Sequence, residues 1–265
     1  GLAWISYLAP GVDKKIMLLT RRFPRTTPGA GPTVRSKKIG QRPTVLREYF
    51  DTLSNALGPM NWWPAKTPFE VIVGAILTQS TAWVNVEHAL ANLRQARMLS
   101  PGRMEKVPEE RLARLIQPSG YFRQKAKKLK AFVGFLRERH GGSLVRMFRT
   151  PTVELRDQLL AVHGIGPETA DSILLYAGGH PVFVVDAYTH RILNRHELSS
   201  GKTDYAAVQS FFQASLPQDA ALYNEFHALL VNVGKNWCRK SRPRCEDCPL
   251  LPHLSQATRF PEART

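Results

Sequence analysis

A glycine turn between two apolar helices constrains this chain more than any other feature. The segment LLAVHGIGPETADSILLYAGG (159–179) predicts the end of one helix, a turn from Val162 to Gly166, and a second helix that begins at Pro167. Proline suits the first helical position, because the N–H it lacks would have no partner there. Gly164 and Gly166 permit positive φ angles and let another backbone come close. The amides of the turn then face outward at a helix start, which is an anion site suited to a phosphodiester.

A single carboxylate follows this pair of helices. The apolar run from Val182 to Val185 leads directly into Asp186, at the predicted start of a further helix. An isolated aspartate at such a position often does no more than cap the helix. From these residues alone, a cap and a reactive carboxylate both stay open, and one side chain can serve as both.

The charge of the chain points to a polyanionic partner. The 265 residues carry a formal net charge of +16, so nucleic acid is the leading candidate and an anionic membrane surface the second. The sequence is 43% hydrophobic without a long uncharged apolar run, and we therefore expect a soluble globular protein with no membrane span. Residues 1–45 are rich in Lys, Arg, Pro and Gly, and we expect them to form a disordered basic arm.

Apolar residues recur at helical spacing along the rest of the chain. Thr67 and Glu70 have the pattern of an N-cap and a capping box around Pro68. The apolar stripes within 208–216 and 222–233 keep the period of a helix. No run alternates convincingly between apolar and polar residues. The sequence therefore predicts an all-α fold.

Two motifs, GIGPETA (164–170) and VVDAYTHRIL (184–193), resemble in order and separation those of the helix-hairpin-helix glycosylases of the endonuclease III superfamily. The resemblance covers roughly residues 46–253. It implies that the hairpin grips the DNA backbone and that Asp186 is the essential catalytic carboxylate. The hairpin residues that it assigns to DNA are Gly164, Ile165, Gly166 and Thr169.

The same resemblance implies two helical domains. A six-helix barrel that carries the hairpin would span 69–182, and the flanks 46–68 and 183–265 would form a second domain with a cysteine loop. DNA would cross the cleft between them, near Asp186. The expected partner is double-stranded DNA with a damaged base. We expect a monomer in the cytoplasm, as in a bacterial nucleoid, or in another reducing intracellular compartment.

Two further segments resemble the superfamily. ILTQSTAW (76–83) places Gln79 where the family has a glutamine that enters the gap left by an extruded base; a loop residue that satisfies backbone groups is the alternative. PSGYFRQKAKKL (118–129) offers Tyr121 or Phe122 as a wedge between bases, although aromatic side chains beside a helix are often core. Lysines of the helix that follows are expected to neutralise phosphates. They are Lys125, Lys127 and Lys128.

Three cysteines cluster near the end of the chain. The spacing of Cys238, Cys245 and Cys248 resembles the [4Fe–4S] loop of endonuclease III, and it does not look like a secreted disulfide framework. A fourth cysteine would fall at position 254, where this chain has leucine next to His253. Three possibilities stay open: His253 as the fourth ligand, an external ligand, or a cluster that is lost or replaced by zinc.

The hairpin lacks the lysine of the family's lyase-competent members. That lysine attacks the sugar to form a Schiff base, whereas this chain has Glu168, which cannot form an imine. Hydrolysis of the N-glycosidic bond remains, with Asp186 stabilising an oxocarbenium-like sugar and orienting water. We expect Glu168 itself to lie in the first turn of a helix, where acids suit the helix dipole.

The target nucleotide must leave the duplex, and Trp62 and Trp63 are candidates for a wall of its pocket. Together with 118–129 and the hairpin, they resemble the monofunctional 3-methyladenine glycosylases, which implies an alkylated purine as substrate. Such a base is cationic and is attracted by aromatic faces. The alternatives are tryptophans in the core, a mismatched thymine or adenine as substrate, a non-catalytic DNA-binding module, and a bifunctional nuclease that uses another amine.

Overall fold

The structure is a computed structural model that describes residues 42–60, 67–199 and 203–255. Trp62, Trp63 and nearly all of the predicted basic arm lie outside the described residues. The first helix begins at Arg42, so it already starts inside the segment that the sequence analysis assigned to the arm.

Twelve α-helices account for most of the described chain, and no strand occurs in it, which confirms the all-α prediction. The helices are α1 (Arg42–Leu57), α2 (Pro68–Leu77), α3 (Trp83–Gln95), α4 (Pro101–Lys106), α5 (Glu109–Leu115), α6 (Phe122–His140), α7 (Leu144–Phe148), α8 (Thr152–Leu160), α9 (Pro167–Ser172), α10 (Ala187–Arg195), α11 (Tyr205–Ser215) and α12 (Ala220–Asn236). Short 3₁₀ turns cover Gln117–Ser119 and Leu251–His253, and a π-helical turn, Ile173–Ala177, continues α9. In the described part of the chain, no helix has the length and apolarity needed to cross a bilayer.

Side-chain hydrogen bonds cap the first turns of helices whose starts the sequence predicts. Thr67 accepts a hydrogen bond from the backbone N–H of Glu70 at 3.2 Å, as the capping pattern predicts. Asp186 accepts one from the backbone N–H of Thr189 at 2.8 Å and so begins α10. These bonds satisfy N–H groups that have no partner within the helix. The helix starts are therefore fixed by local contacts.

Buried side chains form two hydrophobic clusters. The first joins α2 to α9 with the π turn, and Ile72, Leu129 and Ile173 are among its members. The second joins α1, the extended run before Asp186 and α10 to α12, and in it the rings of Phe183 and Phe212 stack with centroids 3.9 Å apart. The hairpin belongs to the first cluster, and Asp186 follows directly on the run that belongs to the second. The domain boundaries drawn from the sequence stay a prediction.

A buried carboxylate ties the hairpin to its neighbours. Asp171 of α9 is fully buried and accepts hydrogen bonds from the guanidinium of Arg156 in α8, at 2.7 and 3.1 Å. The Tyr205 hydroxyl and the Gln209 amide of α11 donate to it as well, each at 2.7 Å. A buried charge is tolerated when it is paired and fully hydrogen-bonded, as here. This network holds α9 against both α8 and α11.

Candidate active site

The hairpin lies where the sequence places it. α8 ends at Leu160, the turn follows, and α9 begins at Pro167. Gly164 has φ +80° and uses the freedom that glycine permits, whereas Gly166 has φ −93°. Ile165 is buried and anchors the turn in the core. A Cβ added at Gly166 would meet nothing within 4 Å, which leaves room for another backbone to approach the turn.

The two glycines should respond differently to alanine. We expect Gly164→Ala to lower the free energy of unfolding by about 1–3 kcal/mol, because alanine in the left-handed region is strained. Its Cβ would also lie 2.6 Å from Cδ of Lys128. Gly166→Ala is the matched control and should change stability little. Urea unfolding of both variants measures this, and equal losses at the two positions would contradict the assignment.

Gln79 joins the end of α2 to the hairpin. Its amide nitrogen donates to the carbonyl of Gly164 at 3.1 Å and to the hydroxyl of Thr169 at 3.0 Å. Its amide oxygen accepts a hydrogen bond from Nζ of Lys128. These contacts match the alternative in which Gln79 is a loop residue that satisfies hydrogen-bonding groups of the backbone. Entry into a base-pair gap stays a prediction for this side chain.

Lys125 does not lie on the protein surface, so its expected role in phosphate binding is wrong. The residue is 2% exposed, and Nζ donates to the carbonyls of Leu77 at 2.8 Å and Ser119 at 2.6 Å. Burial, and then the charge of Lys128, lower the pKa of Lys125 to about 8. The end of α2 and the turn at 117–119 enclose the side chain. Lys127, which is exposed, and Lys128 stay candidates for phosphate contact.

The two candidate wedge residues have different surroundings. Tyr121 is 69% exposed and has φ +45° just before α6. Phe122 packs against the first hydrophobic cluster. An exposed large aromatic side chain is suited to a contact with a partner. Tyr121 is therefore the better candidate for insertion between bases.

Asp186 is both a cap and a carboxylate with one unpartnered oxygen. Oδ1 accepts hydrogen bonds from the backbone N–H and the hydroxyl of Thr189, at 2.8 and 3.0 Å. Oδ2 is buried and has no hydrogen-bond partner among the described residues. The residue is 1% exposed, so its carboxylate is not accessible to solvent in this structure. Buried polar atoms are normally satisfied, so the second oxygen needs an explanation that capping does not supply.

Three further titratable groups interact with Asp186. His227 of α12 lies with Nε2 3.8 Å from Oδ2 of Asp186, and its Nδ1 is 2.5 Å from the hydroxyl of Tyr176 in the π turn. Burial lowers the pKa of His227, against the opposing effect of Asp186, so the imidazole is neutral. Burial and then the charge of Asp186 raise the pKa of Glu168 to about 8. Oε1 of Glu168 is likewise buried and unpartnered in the described part of the chain.

Sequence reasoning missed Tyr176 and His227 and misjudged the surroundings of Glu168. Glu168 does lie in the first turn of α9, but its Oε1 is buried, and burial and the charge of Asp186 raise the pKa of its carboxyl group. His227 and Tyr176 are 51 residues apart and read as members of separate apolar stripes. The one signal was a histidine inside the stripe of α12.

The cysteine loop offers three thiols to one cavity. The cavity is lined by Cys238, Cys245 and Cys248. Leu254 lines it as well, and it occupies the position at which the family has a fourth cysteine. His253 does not complete this set, since its Nε2 is 2.9 Å from the hydroxyl of Thr52. In the described ranges, no group of three or more His, Cys, Asp or Glu could hold a metal ion. The residues present therefore do not fit a four-ligand cluster.

Comparison with known proteins agrees with this geometry. The profile of the HhH-GPD superfamily base excision DNA repair proteins matches residues 73–218. MJ1434 of Methanocaldococcus jannaschii, which carries the provisional name of a DNA repair glycosylase, is 42% identical over 78% of this chain and 94% of its own. Endonuclease III of Thermotoga maritima is 31% identical over 70% of this chain and 82% of its own.

A solved structure adds the same relationship in three dimensions. The 3-methyladenine DNA glycosylase MagIII of H. pylori, bound to 1,N6-ethenoadenine, superposes with a TM-score of 0.60 at 32% identity. The match covers 72% of this chain and 95% of that one. The chain therefore belongs to the HhH-GPD superfamily of base excision DNA repair proteins and is an endonuclease III-like DNA N-glycosylase.

Proposed function

We propose that this glycosylase is monofunctional: it hydrolyses the N-glycosidic bond of an alkylated purine in double-stranded DNA, as a monomer, and does not cleave the strand. The observation that carries the proposal is Glu168 in the first turn of α9, at the hairpin position where the family's lyase-competent members have a lysine. A carboxyl group cannot form the imine on which strand cleavage depends.

No amine takes over from the missing lysine among the described groups found to interact with Asp186. Those groups are Thr189, His227, Glu168, Tyr176 and Tyr188. The buried Lys125 is engaged by two backbone carbonyls. These observations support hydrolysis as the reaction.

In the proposed reaction, Asp186 acts on the sugar. Thr189 fixes Oδ1, and the free Oδ2 stabilises positive charge at C1′ as the electron pair of the glycosidic bond leaves with the base. Water then adds to C1′, and its proton passes to a carboxylate. Because Asp186 is buried, the site must open before an extruded nucleotide can reach it. A hydrogen-bond donor that enters the open site can bond to Oδ2 of Asp186, which is buried and has no other partner among the described residues.

Two arguments support an alkylated purine as the substrate: the charge of a methylated base and the name of a relative. A methylated purine carries a positive charge, is held by aromatic faces and leaves readily. The relative MagIII, 32% identical, is a 3-methyladenine DNA glycosylase. The predicted aromatic wall, Trp62 and Trp63, lies outside the described residues.

Incubation of the protein with duplex DNA that carries 7-methylguanine tests the proposal. We expect free base, and strand breaks only after alkali. Breaks without alkali, together with a borohydride-trapped adduct, would show a bifunctional enzyme. Absence of base release, with DNA binding retained, would contradict an alkylated purine as the substrate.

A further inference from the structure

We infer that His227 is a positioning residue for the reaction: its imidazole, oriented by the hydroxyl of Tyr176, presents an N–H to Oδ2 of Asp186 and fixes the orientation in which the carboxylate meets the deoxyribose. The inference rests on the proposed function, because it needs Asp186 to act on the sugar. It gives a role to two side chains, from the π turn and from α12, that lie outside the hairpin and aspartate motifs.

Two buried polar atoms without hydrogen-bond partners lie close together at Asp186. They are Nε2 of His227 and Oδ2 of Asp186, and neither has a partner among the described residues. The two atoms are 3.8 Å apart, and their side chains are 4% and 0% exposed. Buried polar atoms are normally satisfied because an unmade hydrogen bond is costly, so a pair of them in one place indicates a function.

The contacts of His227 decide which ring nitrogen carries the proton. Burial lowers the pKa of His227, so at neutral pH the ring has one N–H and one acceptor nitrogen. Nδ1 lies 2.5 Å from the hydroxyl of Tyr176. Burial raises the pKa of that hydroxyl, so it keeps its proton and donates a hydrogen bond to Nδ1. The imidazole proton then lies on Nε2, whereas the opposite tautomer would set a lone pair against the carboxylate.

Thr189 and His227 together control both oxygens of the carboxylate. Thr189 fixes Oδ1 with hydrogen bonds of 2.8 and 3.0 Å. The 3.8 Å between Nε2 of His227 and Oδ2 is longer than a hydrogen bond, and such contacts often shorten in the complex with substrate. Once Nε2–H bonds to Oδ2, the carboxylate cannot rotate, and its charge stays directed at C1′. A misplaced reacting group loses rate even when binding is unchanged.

Two substitutions at position 227 test the inference by single-turnover release of 7-methylguanine from a duplex. His227→Leu removes the N–H but fills the buried space, and it should lower the rate on the order of 10²-fold. His227→Gln places an amide N–H close to the position of Nε2, and it should keep the rate within about tenfold of the wild type. Fluorescence anisotropy should show unchanged duplex affinity in both variants, because His227 is buried.

The chain offers a matched control for the leucine substitution. His140 of α6 is likewise buried, and its Nε2 lies 3.1 Å from Oε1 of Gln158 in α8. His140→Leu therefore removes a buried, hydrogen-bonded imidazole from another part of the protein. It should leave the rate of base release unchanged.

A double variant separates positioning from folding. Tyr176→Phe/His227→Leu replaces both partners of one hydrogen bond by apolar side chains, so neither is left unsatisfied by loss of the other. We expect urea unfolding close to that of the wild type, with release as slow as in His227→Leu. A merely structural role of the pair would instead restore release together with stability. The double variant also decides the matter if His227→Leu alone fails to fold.

The tautomer of His227 can be measured without activity. In NMR spectra of protein with nitrogen-labelled histidine, the imidazole signals that disappear in His227→Gln belong to this residue. They should show a neutral ring with its proton on Nε2. A proton on Nδ1 would overturn the inference.

The kinetic outcomes distinguish the inference from the proposed function. Wild-type release by His227→Leu, or a rate of His227→Gln as low as that of His227→Leu, overturns the inference and leaves the proposed function intact. Failure of the wild-type protein to release 7-methylguanine overturns the proposed function and the inference with it.

Discussion

Asp186→Asn should reduce base release by on the order of 10³-fold or more while DNA affinity stays close to that of the wild type. The substitution removes the negative charge that the proposed transition state requires. It retains a side-chain oxygen that can accept the N–H of Thr189, so α10 keeps its cap. Single-turnover release of 7-methylguanine measures the first effect, and fluorescence anisotropy with the same duplex measures the second.

The chain offers a matched control for this substitution. Asp204 caps α11 by accepting the backbone N–H of Ala207 at 2.7 Å, and it is exposed. Asp204→Asn therefore makes the same chemical change at the same kind of position without touching the site. It should leave release unchanged. If Asp186→Asn turned over at the wild-type rate as well, Asp186 would be a cap and nothing more.

Asp171→Ala should have the largest effect on stability, a loss of about 3–5 kcal/mol in the free energy of unfolding. Asp171 is fully buried and receives four hydrogen bonds, two from Arg156 and one each from Tyr205 and Gln209. Alanine leaves a largely buried guanidinium without its counter-charge and opens a gap between α9 and α11. Urea unfolding, with the slope checked against the wild type, measures the loss.

An exposed ion pair provides the comparison. Asp51 accepts hydrogen bonds from Arg47 one turn earlier in α1, and both side chains are about half exposed. Asp51→Ala should cost only about 0.3–0.5 kcal/mol, because solvent already screens the pair. If Asp171→Ala were as mild as Asp51→Ala, the network would not hold the hairpin in place.

The elements that could be predicted from the sequence are those formed by neighbours in the chain. The cap at Thr67, the start of α9 at Pro167 and the position of Asp186 before α10 are all fixed within about one helical turn. Their hydrogen bonds join residues that are close together in the sequence. The same locality explains why the all-α fold could be predicted from apolar periodicity alone.

The errors concern side chains whose surroundings come from distant segments. Lys125 looks like one more surface cation in a basic helix, yet the end of α2 and the turn at 117–119 enclose it. His253 sits beside the expected ligand position, yet it bonds Thr52 from the first helix. In both cases the deciding partner is remote in sequence, 48 and 201 residues away respectively.

By itself, the sequence determined the helices, the glycine turn and which carboxylate follows it, because these depend on local hydrogen bonds and on the period of apolar residues. Only the tertiary structure decided which groups surround that carboxylate and how their pKa values shift. Burial and the charge of Asp186 raise the pKa of Glu168 to about 8, and the packing of α12 brings Nε2 of His227 to 3.8 Å from Oδ2 of Asp186. Desolvation and like-charge proximity arise only when distant segments meet, so no local pattern could have revealed them.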